Sequence, residues 1–111
     1  MGMKVPGAPD VAQQYQTGTL STAGPTACAF VPTLGDFAVH LTGSGGPVVI
    51  EASADGGVTY AVVCYPGSAT PIQLQVPCYT QLTTVAYGMK YQFRADTSFS
   101  GGTVTCYFAK G

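Results

Sequence analysis

The side chains that could carry chemistry are few and widely spaced in this 111-residue chain. A glycosidase needs two carboxylates about 5 to 9.5 Å apart across the sugar bond. Glu51 and Asp55 are the nearest acidic pair in the sequence, and the pattern around them predicts an outward-pointing strand residue and a turn residue. We therefore do not expect this pair to be catalytic.

A hydrolase built on a Ser-His-Asp triad would have to use His40, the single histidine of the chain. No Gly-x-Ser-x-Gly sequence is present to carry the nucleophile. Alternation places His40 on the polar face of a strand, where it would contact solvent or another subunit. Asp36, Asp55 and Asp96 are far apart in the sequence, which disfavours a calcium site. We expect a protein that is not an enzyme and holds no metal or cofactor.

The four cysteines, Cys28, Cys64, Cys78 and Cys106, form no Cys-x-x-Cys pair, so their spacing does not match a zinc site. No continuous apolar segment follows the initial MGMK, so we expect no signal peptide and a cytoplasmic origin, where thiols stay reduced. Most of the cysteines are then expected to be small buried apolar side chains. One or more disulfides is the alternative.

Charged residues make up only 8% of the chain, against about 25% in ordinary domains. The four cations are scattered and cannot form the basic surface that nucleic-acid binding requires. An apolar content of 46% and a net charge of -1 disfavour disorder, and the longest apolar runs fall well short of the about 20 residues of a membrane helix. We expect neither nucleic acid nor membrane as a partner.

Short runs of alternating apolar and polar residues, separated by Gly- and Pro-rich turns, recur from residue 15 onward. Phe37, Val39 and Leu41, for example, alternate with polar neighbours. The predicted strands are 15–22, 27–31, 36–42, 48–53, 58–65, 72–76, 79–86, 89–95 and 103–109, and a turn is predicted at Gly24 and Pro25. This pattern predicts a single all-β domain over residues 15–111, an antiparallel β-sandwich or jelly roll, with an extended N-terminal arm over residues 1–14.

The sequence SADGGVTY at residues 53–60 resembles the Asp-box of sialidases, with a tyrosine where tryptophan is usual. The serine and aspartate of such a box cap backbone amides, and the glycines permit a sharp reversal. The residues of the expected structural hairpin turn are Ser53, Asp55, Gly56, Gly57, Thr59 and Tyr60. A sialidase is not expected, because the chain has one box and a single arginine, Arg94.

Residues 37–60 (FAVHLTGSGGPVVIEASADGGVTY), 91–96 (YQFRAD) and 100–108 (SGGTVTCYF) together resemble small β-sandwich proteins of tailed-phage virions. Those proteins share a strand, a glycine turn, a second strand, an S-x-D-G-G-x-T-aromatic hairpin and a closing pair of strands. The resemblance covers roughly residues 35–109, and the chain departs from it at Tyr60 and in its four cysteines. It implies a virion structural role, as a capsid decoration (cement) protein, a head fibre or a tail-associated module, without catalytic residues.

The resemblance leads us to expect a homo-oligomer in the virion, assembled in the host cytoplasm and bound to the major capsid protein or other virion proteins. Pro6 and Pro9 keep the arm extended. Its apolar residues Met3, Val5 and Val11 are expected to contact a neighbouring subunit.

The alternative is a glycan- or receptor-binding module of a tail or head fibre. Exposed tyrosines would stack on sugars in such a module, and they are equally suited to protein interfaces. The candidate tyrosines are Tyr60, Tyr65, Tyr79, Tyr87 and Tyr107. The chain has no asparagine, which counts mildly against a sugar site.

Overall fold

The computed structural model describes residues 15–25 and 29–110, which form nine β-strands and no helix. The strands are β1 (Tyr15–Leu20), β2 (Gly24–Pro25), β3 (Gly35–Gly43), β4 (Gly46–Ser53), β5 (Ala61–Val62), β6 (Gln73–Leu74), β7 (Cys78–Thr84), β8 (Lys90–Ser100) and β9 (Val104–Ala109). Within these residues there is accordingly no helix of the length and apolar character that a membrane crossing requires.

The strands form two antiparallel sheets that pack face to face. The first sheet has the order β1-β9-β3-β7, with β1 and β7 at its edges. The second sheet has the order β2-β8-β4-β5, and β6 pairs with β4 along the same edge as β5. The all-β antiparallel sandwich predicted from the sequence is confirmed.

The core lies between the two sheets and is dominated by phenylalanine rings. Phe30, Phe37, Phe93 and Phe108 are all buried, and the Phe108 ring stacks at 4.1 Å on Phe93 and at 5.1 Å on Phe30. Each such ring pair contributes about 0.5–1.5 kcal/mol beyond the burial of its area. The alternation from Phe37 to Leu41 places this strand's apolar side chains in the core, as predicted.

The region before β3 differs from the prediction. The turn predicted at Gly24 and Pro25 is wrong, because these two residues form β2 and pair with β8. Pro25 has no amide hydrogen, and it is accommodated here because β2 is an edge strand. The strand predicted over 27–31 is absent from its described part, where Phe30 makes only an isolated bridge to Tyr91.

Other boundaries also differ. The strand predicted over 72–76 shrinks to the two residues of β6, and the strand predicted over 79–86 is shifted to Cys78–Thr84. The strand predicted over 58–65 shrinks to the two residues of β5, because Thr59 is hydrogen-bonded to Asp55 and stays in the preceding turn. The strand predicted over 89–95 continues to Ser100 as β8. The additional residues run beside β4 as far as its first residue, Gly46, which pairs with Ser100.

Candidate functional site

Residues 53–60 form the turn between β4 and β5, and side-chain hydrogen bonds hold it together. The buried Ser53 hydroxyl accepts from the amide of Gly57 at 2.9 Å and donates to Asp55 Oδ1 at 2.6 Å. Thr59 donates to the same carboxylate through its amide at 3.0 Å and through its hydroxyl at 2.5 Å. These bonds close the loop on itself as the Asp-box pattern requires.

The tip of this turn is fixed by glycine geometry and by a contact to the neighbouring strand. Gly56 and Gly57 have φ angles of 78° and 95°, a region in which side chains with a Cβ are strained. Lys90 of β8 donates from Nζ to the carbonyl of Gly56 at 3.2 Å. Tyr60 is half-buried, and its burial, followed by nearby negative charges, raises its pKa.

Both carboxylate oxygens of Asp55 accept hydrogen bonds within this turn. Hydrogen bonds from Ser53, and then from Thr59, lower the pKa of Asp55 from its usual value of 3.8. A cavity of about 370 Å³ lies beside the turn, and no acidic, basic or histidine side chain lines it. The side chains of Ser53, Asp55 and Thr59 are thus engaged in closing the turn.

Glu51 is held on the outer face of the second sheet by two side chains of β8. Gln92 Nε2 donates to one carboxylate oxygen at 2.7 Å, and Arg94 Nε donates to the other at 2.8 Å. The side chain of Glu51 is only 12% exposed, whereas that of Arg94 is 41% exposed. Among the described residues, Glu51 and Asp55 share no hydrogen-bond partner.

Asp36 and Asp96, the other acids of the described residues, also accept hydrogen bonds from nearby hydroxyl groups. Asp36 accepts from the hydroxyl of Thr83 on β7, and Asp96 accepts from Thr97 and Ser98, its sequence neighbours. Across 15–25 and 29–110, no three His, Cys, Asp or Glu side chains cluster in a way that could hold a metal ion.

A row of aromatic rings crosses the outer face of the first sheet. Tyr15 lies 6.2 Å from Tyr107, Tyr107 stacks on His40 at 5.4 Å, and His40 lies 6.2 Å from Tyr79, all measured between ring centroids. The strand register explains the row, because His40 is directly opposite Tyr107 of β9 on one side and Tyr79 of β7 on the other. We call these four residues the aromatic row.

The two outer faces of the sandwich differ in charge. The four strands of the first sheet contain a single Asp, Glu, Lys or Arg, which is Asp36 near the start of β3. On the second sheet the charged residues are Glu51 of β4 and Lys90, Arg94 and Asp96 of β8. Around the aromatic row the first sheet presents mostly threonine, alanine and glutamine. Lys110, which directly follows β9, adds a cation at the end of this sheet, where its Nζ donates to the carbonyl of Asp36 at 2.6 Å. A wide face with few charges and several aromatic side chains is typical of surfaces that another molecule covers.

A groove of about 510 Å³ runs along the side of the sandwich. One wall consists of four consecutive residues of β7, 80–83. The other consists of residues 63–66 and 72–74, which belong to a hairpin closed by hydrogen bonds from Tyr65 N to Thr70 O and from Ile72 N to Val63 O, both 3.0 Å. No charged side chain lines this groove. We call it the β7 groove.

The cysteines only partly match the expectation of burial. Cys106 is buried, but Cys64 and Cys78 are half-buried and carry free thiols. Cys64 lies on the hairpin beside the β7 groove and Cys78 begins an edge strand, so neither position is enclosed by both sheets. Partial burial raises the pKa of the Cys78 thiol. Cys28 lies outside the described residues.

Of the candidate sugar-stacking tyrosines, Tyr79 and Tyr107 come together on either side of His40, and Tyr60, Tyr65 and Tyr87 lie outside the aromatic row. Tyr65, Tyr79 and Tyr87 are exposed, and Tyr60 and Tyr107 are half-buried. The predicted arm contacts Met3, Val5, Pro6, Pro9 and Val11 lie outside the described residues. The sequence did not reveal the aromatic row, because β9 inserts between β1 and β3 and no local pattern signals that order.

The candidate functional site is therefore the sparsely charged outer face of the first sheet, with the aromatic row across it. Such a face can bind another molecule by burying area and by tyrosine and threonine hydrogen bonds, without any reacting group. Comparisons with protein-family models, with curated proteins and with solved structures each find no match to this chain.

Proposed function

We propose that this chain is a structural protein of a bacteriophage virion, a capsid decoration (cement) protein that binds the capsid surface and stabilises contacts between capsomers. It acts without catalysis, as a homo-oligomer that binds the major capsid protein. The resemblance of residues 37–60, 91–96 and 100–108 to small virion sandwich proteins supports the location.

The observation that carries the binding role is the unequal charge of the two outer faces. Covering a charged side chain costs desolvation energy unless a partner is provided. The first sheet has one such residue on its strands, Asp36, so it can be covered at little cost. The charged second sheet is better suited to remain in solvent.

The mechanism is burial of area repeated over many copies. Apolar surface removed from water contributes about 25 cal/mol per Å², and a standard interface covers about 800 Å² on each partner. A lattice of identical copies multiplies modest contacts into a large total effect. The self-closed turn at residues 53–60 keeps the connection between β4 and β5 compact.

Binding to empty capsid shells of the virus that encodes the chain tests this function. We expect saturable binding with a fixed number of copies per capsomer and a higher temperature of shell disassembly. Thr105→Lys, on β9 in the first sheet, should abolish binding, while Ser98→Lys, exposed on β8, should not. If the unmodified chain does not bind shells, the proposal is wrong.

A second candidate is a glycan-binding module of a phage fibre. The observation in its favour is the contact between exposed Tyr79 and the His40 ring of the aromatic row, since sugars stack on such rings. Gln81 lies two residues along the same strand, is exposed on the same face and can donate hydrogen bonds. A glycan array probed with the intact protein would support this role by saturable hits that Tyr79→Ser removes, and an empty array would exclude it.

A further inference from the structure

The open edge of β7 is a second feature of the first sheet that suits contact with another chain. β7 pairs with β3 along its whole length, and no described strand lies on its other side. Its sequence, CYTQLTT, contains no charged residue and no proline. Natural edge strands usually carry charges, prolines or bulges that prevent further pairing. This edge has none of these side chains and can accept an added strand.

The β7 groove lies directly beside this edge. Because residues 80–83 line it consecutively, side chains from both faces of β7 and the backbone between them border the groove. Half-buried Val63, Ile72 and Leu82 supply apolar surface. In an added strand every second side chain would point into the groove, so a matching segment needs apolar residues at alternate positions.

The 14 residues that precede β1 contain such a segment. Met3 and Val5 alternate with Lys4, so in an extended conformation the two apolar side chains share one side and the ammonium group takes the other. The uncharged groove would receive Met3 and Val5 and leave Lys4 in solvent. Pro6 lacks an amide donor and would end the pairing at Val5.

The geometry of the sheet favours a neighbouring copy as the acceptor. The sequence enters the first sheet at Tyr15, on the edge opposite β7, three strand spacings or about 14 Å away. Residues 6–14 can span up to about 30 Å, so reach alone would allow either copy. Pairing with the β7 edge of its own copy would require the segment to fold back across the sheet, and Pro6 and Pro9 favour extension instead. We infer that residues 3–5 of one copy add as a strand to the β7 edge of a second copy, with Met3 and Val5 in its groove.

This inference concerns copies of the chain alone and does not depend on a capsid. Sedimentation velocity of the full-length chain over a concentration series tests it directly. We expect concentration-dependent association, and a dissociation constant raised at least about tenfold by Met3→Ser with Val5→Ser, because both apolar anchors are lost. The matched control, Gly2→Ser with Lys4→Ser, changes the opposite side of the segment and should leave the constant within about threefold.

Mixing two variants tests which copy donates the N-terminal segment and which accepts it at its β7 edge. Gln81→Lys places a charge on the β7 edge and should block acceptance, while Thr19→Lys, on the opposite edge strand β1, should not. A chain with Met3→Ser and Val5→Ser can only accept, and a chain with Gln81→Lys can only donate. Each alone should be largely monomeric, and their mixture should form a one-to-one complex.

Three results would overturn the inference. The first is a chain that stays monomeric at every concentration. If the Met3 and Val5 changes then lowered its melting temperature, the segment would be binding the β7 edge of its own copy. The second is association that survives those changes. The third is association lost equally in Thr19→Lys and Gln81→Lys, which would indicate direct pairing of β1 with β7. Shell binding can succeed or fail independently of all three.

Discussion

Replacing Tyr79 by serine removes the most exposed tyrosine of the aromatic row. Its side chain is 63% exposed, which for a tyrosine side chain of about 200 Å² leaves about 130 Å² for a partner to cover. Burial at about 25 cal/mol per Å² would contribute about 3 kcal/mol. Serine retains a small part of that area, so we expect a loss of about 2 kcal/mol, or roughly a thirtyfold weaker binding to capsid shells.

The matched control is Tyr87→Ser. Tyr87 is even more exposed, at 83%, but lies between β7 and β8 and outside the aromatic row. Cosedimentation with shells should give unchanged binding for this variant, and equal melting temperatures would show that both variants fold. Equal weakening by the two changes, or no effect of Tyr79→Ser, would refute the assignment of the first sheet as the binding face.

Three further predictions concern stability and are measured by urea unfolding. Phe108→Ala should cost about 3–5 kcal/mol, because Phe108 is fully buried and stacks on two rings, and the partly buried Phe99→Ala should cost clearly less. Asp55→Asn should lower the free energy of unfolding at neutral pH. The difference from the unmodified chain should shrink as the pH falls below about 4, because the folded-state pKa of Asp55 lies below 3.8 and protonation removes its stabilising contribution. Gly43→Ala should be more destabilising than Gly56→Ala. Both glycines have positive φ, but only at Gly43 would an added Cβ lie 2.2 Å from a backbone oxygen, that of Thr103. Equal losses of stability would contradict the steric explanation.

The elements of the sandwich were predictable where side chains alternate cleanly. Phe37, Val39 and Leu41 are buried as expected, because one face of a strand must meet the core and the period of two is fixed by the backbone. The predicted strand boundaries were wrong where other hydrogen bonds compete with strand pairing. Thr59 remains in a turn because Asp55 binds it, and Pro25 joins a sheet edge despite the glycine before it.

The candidate site was predictable only in parts. The turn at residues 53–60 was visible because its serine, aspartate and glycines act locally. The aromatic row was not, because Tyr107 meets His40 through the pairing of β9 with β3, and those strands are distant in sequence. The β7 groove likewise depends on a hairpin of one sheet approaching the edge strand of the other.

The near absence of charge on the first sheet also determines how its contacts respond to salt. With Asp36 on its strands and Lys110 directly after β9 as its fixed charges, this face offers little for dissolved ions to screen. Association through it would lack long-range steering and proceed at an unassisted rate of about 10⁵–10⁶ M⁻¹s⁻¹. Retention would then depend on slow dissociation, and a particle held together in this way would keep its copies in fresh water and in brine alike.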